Sequence, residues 1–398
     1  MSIAATVLKP DHVPASLVRD FDYRDFPGHD RDVHLAWKQL HDGPDIFWSP
    51  RHGGYWVATR ADDIDVMQTD HERFSYQHIT VPPQKDFPPL APLEFDPPAH
   101  GPLRAIISPA FGPKAMQAVE ADLRKLSTEL LDRIQPRHEC EFVDAYAKRL
   151  PIVTFLRLVD LPLADREHLL KLTEMSVRPR SDTDTYQAFS GLHEYTQKWI
   201  RERRERPGSD LFSRIVNATI AGQPLTDAQT AGMLANVIFG GLDTVAAALS
   251  FTARCLAENP EVRAQLRADK AIIPRAIEEF LRRFGIPNTG RLVAHDVEYK
   301  GLSLRANDMI LLPKTLHGLD ERRYPQPLQL DFKRPRHPHA AFGGGPHRCP
   351  GSLLAHLELK IFLEQWLERI PDFHIAPGQQ PRTGSGPVNG VLSLPLAW

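Results

Sequence analysis

The spacing of apolar residues predicts a mainly helical chain. In the segment EADLRKLSTELLDRI, apolar residues recur at intervals of three and four, the period of a helix with one buried face. They are Leu123, Leu126, Leu130, Leu131 and Ile134. The segment SGLHEYTQKWIRERRERPG ends on basic residues followed by Pro-Gly, which is typical of a helix C-terminus. We therefore predict helices over both segments.

Two stretches depart from the helical period. DIFWSPRHGGYWVATR has aromatic and β-branched residues on both sides of Gly53-Gly54, which predicts a β-hairpin. VEYKGLSLRANDMILLP alternates around Lys300-Gly301 and Asn307-Asp308, which predicts a second small sheet. Between residues 77 and 96, QHITVPPQKDFPPLAPLEFD is too rich in proline for either element. We expect a loop there that covers another part of the protein.

A long apolar helix is predicted from Thr226 or Asp227 to Asn259-Pro260, about 30 residues and about 45 Å. Its middle contains four residues that do not suit a buried helix: Gly240, Gly241, Asp243 and Thr244. Each interior glycine costs about 1 kcal/mol relative to alanine, and an unpaired buried carboxylate costs more. Two explanations are open. The glycines admit a neighbouring helix while Thr244 bonds back to the Gly240 carbonyl, or they line a groove for a flat ligand with a proton supply beside it.

The segment AFGGGPHRCPGSLLAHLELKIF has Cys349 in a stiff loop of glycine and proline. The following helix is expected to bury a stripe of Leu353, Leu354, Leu357, Ile361 and Trp366. Its first N–H groups are expected to point at the sulfur and to lower the pKa of Cys349. A thiolate facing a glycine-lined space suits an axial metal ligand. The alternatives are a small buried hydrophobe and a zinc site with His337, His339 and His347; the zinc site is weaker because no second cysteine is near.

Composition excludes several classes of partner. The chain has 398 residues, 42% of them hydrophobic, and 48 basic residues nearly balance 50 acidic ones, so there is no bulk attraction to nucleic acid or anionic membrane. The three cysteines, Cys140, Cys255 and Cys349, are far apart, which favours a reducing cytoplasm. The start MSIAATVLKPDHVP lacks the features of a signal peptide or membrane anchor. Since no linker-like segment occurs, we expect one domain over residues 1–398.

Three motifs together resemble the cytochrome P-450 superfamily of haem-thiolate monooxygenases. FGGGPHRCPG, residues 342–351, is similar to the cysteine-loop signature of the family. GGLDT, residues 240–244, resembles its oxygen-activating segment, and EEFLRR contains its Glu-x-x-Arg. HGLDERR, WLERIPDFHIAPG and LPLAW are similar to the bacterial camphor-hydroxylase group in particular. The resemblance covers essentially the whole chain.

The resemblance implies a mainly α fold with small β-sheets, a triangular-prism helical domain with a long central helix. A β-rich part is expected at about 1–75 and a helical part with the haem site at about 76–398. The implied activity is hydroxylation of a small apolar substrate, using haem b, dioxygen and two electrons from a [2Fe–2S] ferredoxin with its reductase. The electrons must come from another protein because the chain lacks a G-x-G-x-x-G fingerprint after a strand. A monomeric cytoplasmic bacterial enzyme is expected, without nucleic-acid or membrane partners.

The family pattern also implies roles for individual residues. Cys349 would ligate the haem iron, with Phe342 and Gly343 packed beside it. The haem propionates would be bound by His100, Arg104, Arg291 and His347. Thr244 would stabilise the activated oxygen through its hydroxyl, and Asp243 would relay protons from solvent, with Arg178 paired to the acid. A buried ion-pair cluster would be formed by Glu279, Arg282 and Arg334, and Arg104 and Arg348 would bind the ferredoxin.

The substrate positions implied by the camphor-hydroxylase group describe a small, mostly apolar cavity. They are Phe87, Val177, Asn236, Phe239, Gly240, Pro287 and Val388. Pro88 stands where the camphor hydroxylase has the tyrosine that binds the substrate ketone. A terpenoid or norisoprenoid-like substrate other than camphor is therefore expected. A peroxide-driven haem-thiolate enzyme and a non-catalytic haem protein are the alternatives, and the Asp243-Thr244 pair favours dioxygen chemistry.

Overall fold

A computed structural model describes residues 6–335 and 338–398 of the chain. Helices dominate these residues, as the apolar spacing predicts. They are α1 (Val33–Lys38), α2 (Ala61–Thr69), α3 (His100–Ile107), α4 (Pro113–Ile134), α5 (Arg149–Leu158), α6 (Arg166–Val177), α7 (Asp182–Glu205), α8 (Leu211–Val216), α9 (Asp227–Leu242), α10 (Thr244–Glu258), α11 (Pro260–Ala268), α12 (Ile273–Arg283), α13 (Lys314–Gly318) and α14 (Ser352–Arg369). The two helices predicted within residues 120–134 and 190–208 are confirmed as parts of α4 and α7.

The strands are short and form small sheets. They are β1 (Ile46–Ser49), β2 (Tyr55–Ala58), β3 (Phe74–Ser75), β4 (Glu139–Glu141), β5 (Thr219–Ile220), β6 (Gln223–Pro224), β7 (Asn288–Val293), β8 (Val297–Tyr299), β9 (Leu302–Leu304), β10 (Met309–Pro313), β11 (His374–Ile375), β12 (Arg382–Gly384), β13 (Gly390–Ser393) and β14 (Pro395–Ala397). The largest sheet has the order β1-β2-β10-β7-β3, and a three-stranded sheet has the order β11-β14-β4. The remaining strands pair as the hairpins β5-β6, β8-β9 and β12-β13.

The register of the largest sheet joins distant parts of the sequence. The predicted hairpin is confirmed, because β1 and β2 are antiparallel with Trp48 opposite Trp56. Trp56 in turn lies opposite Ile310 in the parallel pairing of β2 with β10, and Ile310 lies opposite Arg291 of β7. The prediction of one sheet over residues 297–313 is wrong in part: β8 and β9 form their own hairpin, whereas β10 joins the large sheet.

The long apolar helix is interrupted in its middle. It begins where predicted, since Thr226 and Gln229 form a reciprocal capping box at the start of α9. It does not run unbroken to Asn259, because α9 ends at Leu242 and Asp243 separates it from α10. By length and composition the stretch Asp227–Glu258 would be apolar enough to span a membrane, but 67% of its most apolar window is buried inside the protein, as in a core helix.

Two hydrophobic cores meet along this interrupted helix. One core surrounds α10, α14 and α4 and includes an aromatic cluster of Phe142, Tyr146, Phe362 and Trp366. The other joins α5, α7 and α9 through Leu192, Trp199, Leu234 and similar residues. The stripe predicted on α14 is partly wrong: Ile361 and Trp366 are buried, whereas Leu353 is 43% exposed. α10 packs against α14, the helix that follows the cysteine-bearing segment.

Candidate functional site

The two glycines at the helix break have different surroundings. A Cβ on Gly241 would lie 2.5 Å from a ring carbon of Phe155, so this glycine lets α9 pack closely on α5. A Cβ on Gly240 would meet no described atom within 4 Å, and Gly240 is exposed although Val237, Ile238 and Leu242 are buried. The close helix approach and the open groove are therefore both present, one at each glycine.

Thr244 begins α10 at the edge of this groove. Its hydroxyl donates a hydrogen bond of 3.2 Å to the carbonyl of Gly240, the bond that the sequence predicts. The hydroxyl oxygen keeps a lone pair that can accept a hydrogen bond, and Thr244 is only half-buried. The break thus presents a hydroxyl and a side-chain-free residue side by side.

Asp243, the residue between the two helices, is held by Arg178. The Arg178 Nη1 donates to Asp243 Oδ2 at 2.8 Å, and Nη2 donates to Oδ1. Arg178 also binds both carboxylate oxygens of Glu174 one turn earlier in α6. Although burial opposes it, the Asp243 and Glu174 carboxylates hold the pKa of Arg178 well above its usual value. The predicted pairing of Arg178 with the acid is present as a buried two-bond ion pair.

Glycines near the C-terminus make room for Arg178. A Cβ on Gly390 would lie 2.5 Å from the Arg178 Nη1, and one on Gly386 would lie 2.3 Å from the carbonyl of Val177. A side chain on Gly390 would displace the Arg178 guanidinium, and one on Gly386 would displace the backbone at Val177 and Arg178. They were not identified from the sequence, although the spacing of single glycines in the terminal strands is visible there.

The cysteine loop, residues 342–351, folds as a tight turn. Gly343 and Gly345 have φ values of +67° and +60°, which favour glycine, and the Cys349 N–H donates to the Phe342 carbonyl at 2.8 Å. The Gly351 N–H and the charges of Arg104 and Arg348 act to lower the pKa of the Cys349 thiol, but burial raises it more. The prediction of a lowered pKa is therefore wrong for the polypeptide by itself, since a buried thiolate needs a stronger cation than these groups provide.

An ion-pair cluster anchors the segment before the cysteine loop. Arg282 donates two hydrogen bonds of 2.8 Å to Glu279, and the Arg334 Nε donates to the same carboxylate at 3.1 Å. Arg282 also binds the carbonyls of Gly318 and Pro327. The predicted cluster of Glu279, Arg282 and Arg334 is thus present, with the side chains of Glu279 and Arg282 almost fully buried.

Four aromatic or cationic side chains stack at one edge of the cysteine loop. The Tyr76 ring lies 3.5 Å from the His347 ring on one face and 3.4 Å from the Arg291 guanidinium carbon on the other. The His100 ring lies 4.2 Å from that of His347. Within the described residues, three buried nitrogens of this stack have no hydrogen-bond partner: Arg291 Nε, His100 Nε2 and His347 Nδ1. Burial is the largest cause that lowers the pKa of His347, to about 4.

Three of the four predicted propionate ligands are therefore adjacent, and Tyr76 joins them. No local motif marks Tyr76, which explains why sequence reasoning missed it. Arg104 is placed differently: its guanidinium donates to the carbonyl of Arg348 and to the hydroxyl of Ser108. Arg104 therefore holds the backbone next to Cys349, while Arg348 itself is exposed.

The predicted substrate positions form two groups. Val177 and Val388 are joined by a backbone hydrogen bond, and Val388 pairs with Pro287 in an isolated bridge. Phe87 and Phe239 both contact Phe189 of α7, at ring distances of 5.7 Å and 5.2 Å. Phe189 is missing from the sequence-based set because the sequence of α7 does not show which face of the helix packs against the loop over residues 77–96.

The loop over residues 77–96, the covering loop, is fixed to α9 and has neither helix nor strand, as predicted. A Cβ on Gly232 would lie 2.0 Å from the Pro89 carbonyl oxygen, so the loop backbone rests directly on the helix. Asn236 donates to the Ala91 carbonyl at 3.2 Å, whereas the sequence alternative was a bond to its own helix. Glu94 accepts hydrogen bonds from the N–H groups of Leu90 and Ile79. Burial raises the pKa of Glu94 above its usual value.

The outer face beside the cysteine loop carries a basic cavity of about 530 Å³. Its lining includes Phe342 and the cations Arg275, Arg348 and Lys360. The lining has three acids: Glu278 contacts His339 and His356 at 3.1 Å and 2.6 Å, Glu279 belongs to the ion-pair cluster, and Asp331 accepts from the Lys333 N–H. Hydrogen bonds from these two histidines hold the pKa of Glu278 far below its usual value.

The zinc alternative lacks support in the described part of the chain. Residues 6–335 and 338–398 contain no group of three or more histidine, cysteine, aspartate or glutamate side chains arranged to hold a metal ion. His339 and His347 point to different partners, Glu278 and the Phe95 carbonyl. His337 lies outside the described residues.

A buried acid lies on α14 beneath α10. Glu358 is 1% exposed, and neither of its oxygens has a hydrogen-bond partner among the described residues. The Thr154 hydroxyl beside it donates instead to the Leu150 carbonyl. Burial raises the pKa of Glu358 to about 8, so the acid is protonated at neutral pH.

Comparison with known proteins adds an independent line of evidence. A family model described as Cytochrome P450 matches residues 165–396. A protein named "Probable cytochrome P450 127A1" from Sinorhizobium fredii is 34% identical over 98% of this chain and 96% of its own length.

Two solved structures share both the sequence and the fold. The crystal structure of CYP101J2 is 36% identical, covers 98% of this chain and 99% of that chain, and superposes with a TM-score of 0.88. The crystal structure of CYP101C1 is also 36% identical, covers 98% and 100%, and has a TM-score of 0.88. Both belong to the camphor-hydroxylase group.

Proposed function

This chain belongs to the cytochrome P450 family of haem-thiolate monooxygenases, and on that premise we propose that it hydroxylates a small terpenoid or norisoprenoid-like substrate with electrons from a [2Fe–2S] ferredoxin. The observation that carries the proposal is the set of three buried, unpartnered nitrogens beside the cysteine loop, on Arg291, His100 and His347. Arg291 Nε is a donor and His100 Nε2 is a donor in one tautomer, whereas His347 Nδ1 becomes a donor only when the ring is protonated, because its Nε2–H already donates to the Phe95 carbonyl. Buried donors without partners cost about 1–3 kcal/mol each. An anionic group that accepts from them removes this cost.

The residues present fit the haem b of this family. Cys349 is the proposed ligand, and the Gly351 N–H, Arg104 and Arg348 already favour its anionic form. The nitrogens of the stack around Tyr76 are the proposed propionate donors. Gly240 provides open space at the helix break. Haem b with a thiolate ligand supplies the redox-active iron at which dioxygen is activated.

Protons reach the site through the residues of the helix break. The Thr244 hydroxyl donates its single proton to the Gly240 carbonyl, so while this bond holds it at the groove its oxygen can only accept a hydrogen bond; it can donate at the groove once the bond breaks. Asp243 is the proposed proton carrier behind it, and its carboxylate is committed to Arg178 in the resting structure. Rotation of the Asp243 side chain away from Arg178 would free it to exchange a proton with solvent. Glu174 would keep the Arg178 charge compensated during that rotation.

The substrate proposal rests on the apolar groups beside the break. Phe87, Phe189 and Phe239 form a continuous aromatic surface, and Val177, Val388 and Pro287 form a second apolar surface. A compact ring-bearing hydrocarbon suits such a lining because burying apolar area gives about 25 cal/mol per Å². Asn236 is bound to the covering loop, so its proposed part in the substrate site is to hold that loop in place.

The basic outer face supports an acidic electron donor. Among the described residues, Arg275 and Arg348 have no carboxylate within ion-pair distance, and Glu278 and Glu279 are bound by internal partners. Lys360 pairs with Glu364 of its own helix, and Asp331 is the exposed acid of the lining. Opposite charge steers association and fixes the register of a redox complex. A [2Fe–2S] ferredoxin with its reductase, acting on a cytoplasmic monomer, is the proposed arrangement.

An optical titration of the purified protein tests the proposal. The reduced carbon monoxide complex is expected to show the red-shifted Soret band of thiolate ligation, and Cys349→Ala is expected to lose it. A panel of small terpenoids, norisoprenoids and fatty acids should then shift the ferric band only with the compact ring compounds. A band typical of histidine-ligated haem, or a response to fatty acids alone, would contradict the ligand or the substrate assignment respectively.

A further inference from the structure

A buried lysine outside the sequence-based set lies near the propionate donors. Lys314, the first residue of α13, is 4% exposed. Its Nζ donates to the side-chain oxygen of Gln68 at 2.9 Å, and no carboxylate within the described residues pairs with it. Burying an ammonium group without a counter-charge costs several kcal/mol. A single neutral amide does not compensate this cost.

The surrounding charges raise the free-energy cost of burying the Lys314 ammonium group. Arg291 of β7 is also buried, also lacks a carboxylate partner within the described residues, and its charge acts on Lys314. The acid that acts on Lys314 is Asp65, but its oxygens are engaged by Gln68, His317 and Arg323. Burial, followed by the charge of Arg291, holds the pKa of Lys314 well below its usual value. Asp96 acts on Arg291, and its oxygens accept from the Ser75 hydroxyl and the Tyr76 N–H. Among the described residues, however, no carboxylate lies within ion-pair distance of Arg291 or Lys314.

Gln68 connects Lys314 to the proposed haem site. The Tyr76 hydroxyl donates to the Gln68 carbonyl at 2.6 Å, and Tyr76 lies between His347 and Arg291. A Cβ on Gly344 of the cysteine loop would lie 3.3 Å from the Gln68 side-chain nitrogen. Lys314 therefore belongs to the same edge of the cysteine loop as the three unpartnered nitrogens.

We infer that Lys314 acts with Arg291 as the charge that binds a haem propionate, with Gln68 as the residue that positions its ammonium group. The inference rests on the proposed function for the location of the haem. A propionate carboxylate would supply the missing counter-charge for both cations and so restore the charged form of Lys314. Without haem, the polypeptide therefore bears the cost of burying the Lys314 amine beside Arg291, and a propionate relieves this cost.

The test compares holoenzymes that differ only at this charge. Lys314→Gln and Lys314→Met remove it, Lys314→Arg keeps it, and Arg283→Gln is the matched control. Arg283 is likewise buried with an unpartnered Nη1, but it lines a separate cavity with His34 and Cys255. Two readouts other than turnover are measured: the rate of haem transfer to excess apomyoglobin, and the ferric–ferrous midpoint potential.

The Gln and Met variants are expected to lose haem about tenfold faster than the wild type, the effect of one charge-assisted hydrogen bond. Their midpoint potentials should fall, because removing a nearby positive charge favours the ferric state. Lys314→Arg should retain the potential, and Arg283→Gln should change neither readout. The apoprotein of Lys314→Gln should unfold at the same or a higher temperature than wild-type apoprotein.

Two results would overturn the inference. If Lys314→Gln and Lys314→Met both lose haem at the wild-type rate and keep the wild-type midpoint potential, Lys314 does not bind a propionate. The haem-thiolate assignment would remain intact. Equal changes in Arg283→Gln would show a general loosening of the fold. A wild-type protein without a thiolate spectrum would instead contradict the proposed function itself.

Discussion

Arg178 and Asp243 form a buried two-bond ion pair that joins the end of α6 to the break between α9 and α10. The pair occupies the point where an otherwise apolar helix loses its regular hydrogen bonding. A carboxylate is tolerated there because the guanidinium satisfies both of its oxygens. In the proposed mechanism, Asp243 leaves this pair before it carries a proton to the groove at Gly240.

Replacing the acid of this pair tests its part in proton delivery. Asp243→Asn is expected to lower the rate of product formation about 100-fold with a raised solvent isotope effect, because the amide cannot carry a proton. The thiolate spectrum should be unchanged. Glu174→Gln is the comparison variant: it leaves the acid at position 243 in place and weakens only the compensation of Arg178, so a much smaller loss is expected. Equal losses in both variants would mean that the ion pair is only structural.

Removing the hydroxyl at the groove tests Thr244. Thr244→Ala should leave NADH oxidation in the reconstituted system largely intact while product yield falls about tenfold and hydrogen peroxide accumulates. Thr244→Ser, which keeps the hydroxyl, should restore most of the yield. Unchanged yield in the alanine variant would refute the proposed role.

Two glycines of α9 are expected to respond in opposite ways to the same substitution. Gly232→Ala should destabilise the protein by about 1–3 kcal/mol and expose the covering loop to proteases, because its methyl group would overlap the Pro89 carbonyl. Gly240→Ala meets open space, so helix propensity should stabilise the chain by up to about 1 kcal/mol. Thermal unfolding and limited proteolysis distinguish them. Similar destabilisation by both would contradict the open groove.

The buried acid Glu358 should make stability depend on pH. Its pKa rises from 4.5 to about 8 on folding, so the folded state keeps a proton that the unfolded state releases. The stabilising contribution is complete below pH 4.5 and is lost as the pH rises to about 8, by at most roughly 1.4 kcal/mol per pH unit.

Glu358→Gln should therefore match the wild type near pH 4 and be more stable at pH 8, as measured by denaturant unfolding at each pH. Glu368→Gln, an exposed acid on the same helix, is the control and should leave the pH dependence unchanged. A wild-type pH dependence in Glu358→Gln would show that Glu358 does not cause it.

Charge reversal on the outer face tests the electron donor. Arg348→Glu should weaken binding of an acidic [2Fe–2S] ferredoxin about tenfold at low salt, with a smaller effect at high salt, because the proposed contact is electrostatic. Arg201→Glu makes the same charge change on α7, outside the lining of the basic cavity. Titration calorimetry at two salt concentrations measures both variants. Insensitivity to salt and to Arg348→Glu would exclude docking on this face.

Local sequence patterns predicted the positions of helices and strands better than they predicted which of these elements pack together. The hairpin around Gly53-Gly54 and the start of α9 at Thr226 follow from turn and capping chemistry within a few residues. The break at Asp243 was visible as an anomaly, but the sequence left its cause open. The thiol pKa was predicted in the wrong direction because burial depends on the whole fold, whereas the Gly351 N–H is local.

The sequence by itself determined the kind of protein this is, because its three motifs need only short stretches of chain to be recognised. Only the tertiary structure decided which side chains meet, since such contacts join residues far apart along the chain. Gln68 and Lys314 are 246 residues apart, and Arg178 and Asp243 are 65 apart. Burial then determines the energetic effect of each contact, because an unpartnered charge is costly only where water is excluded.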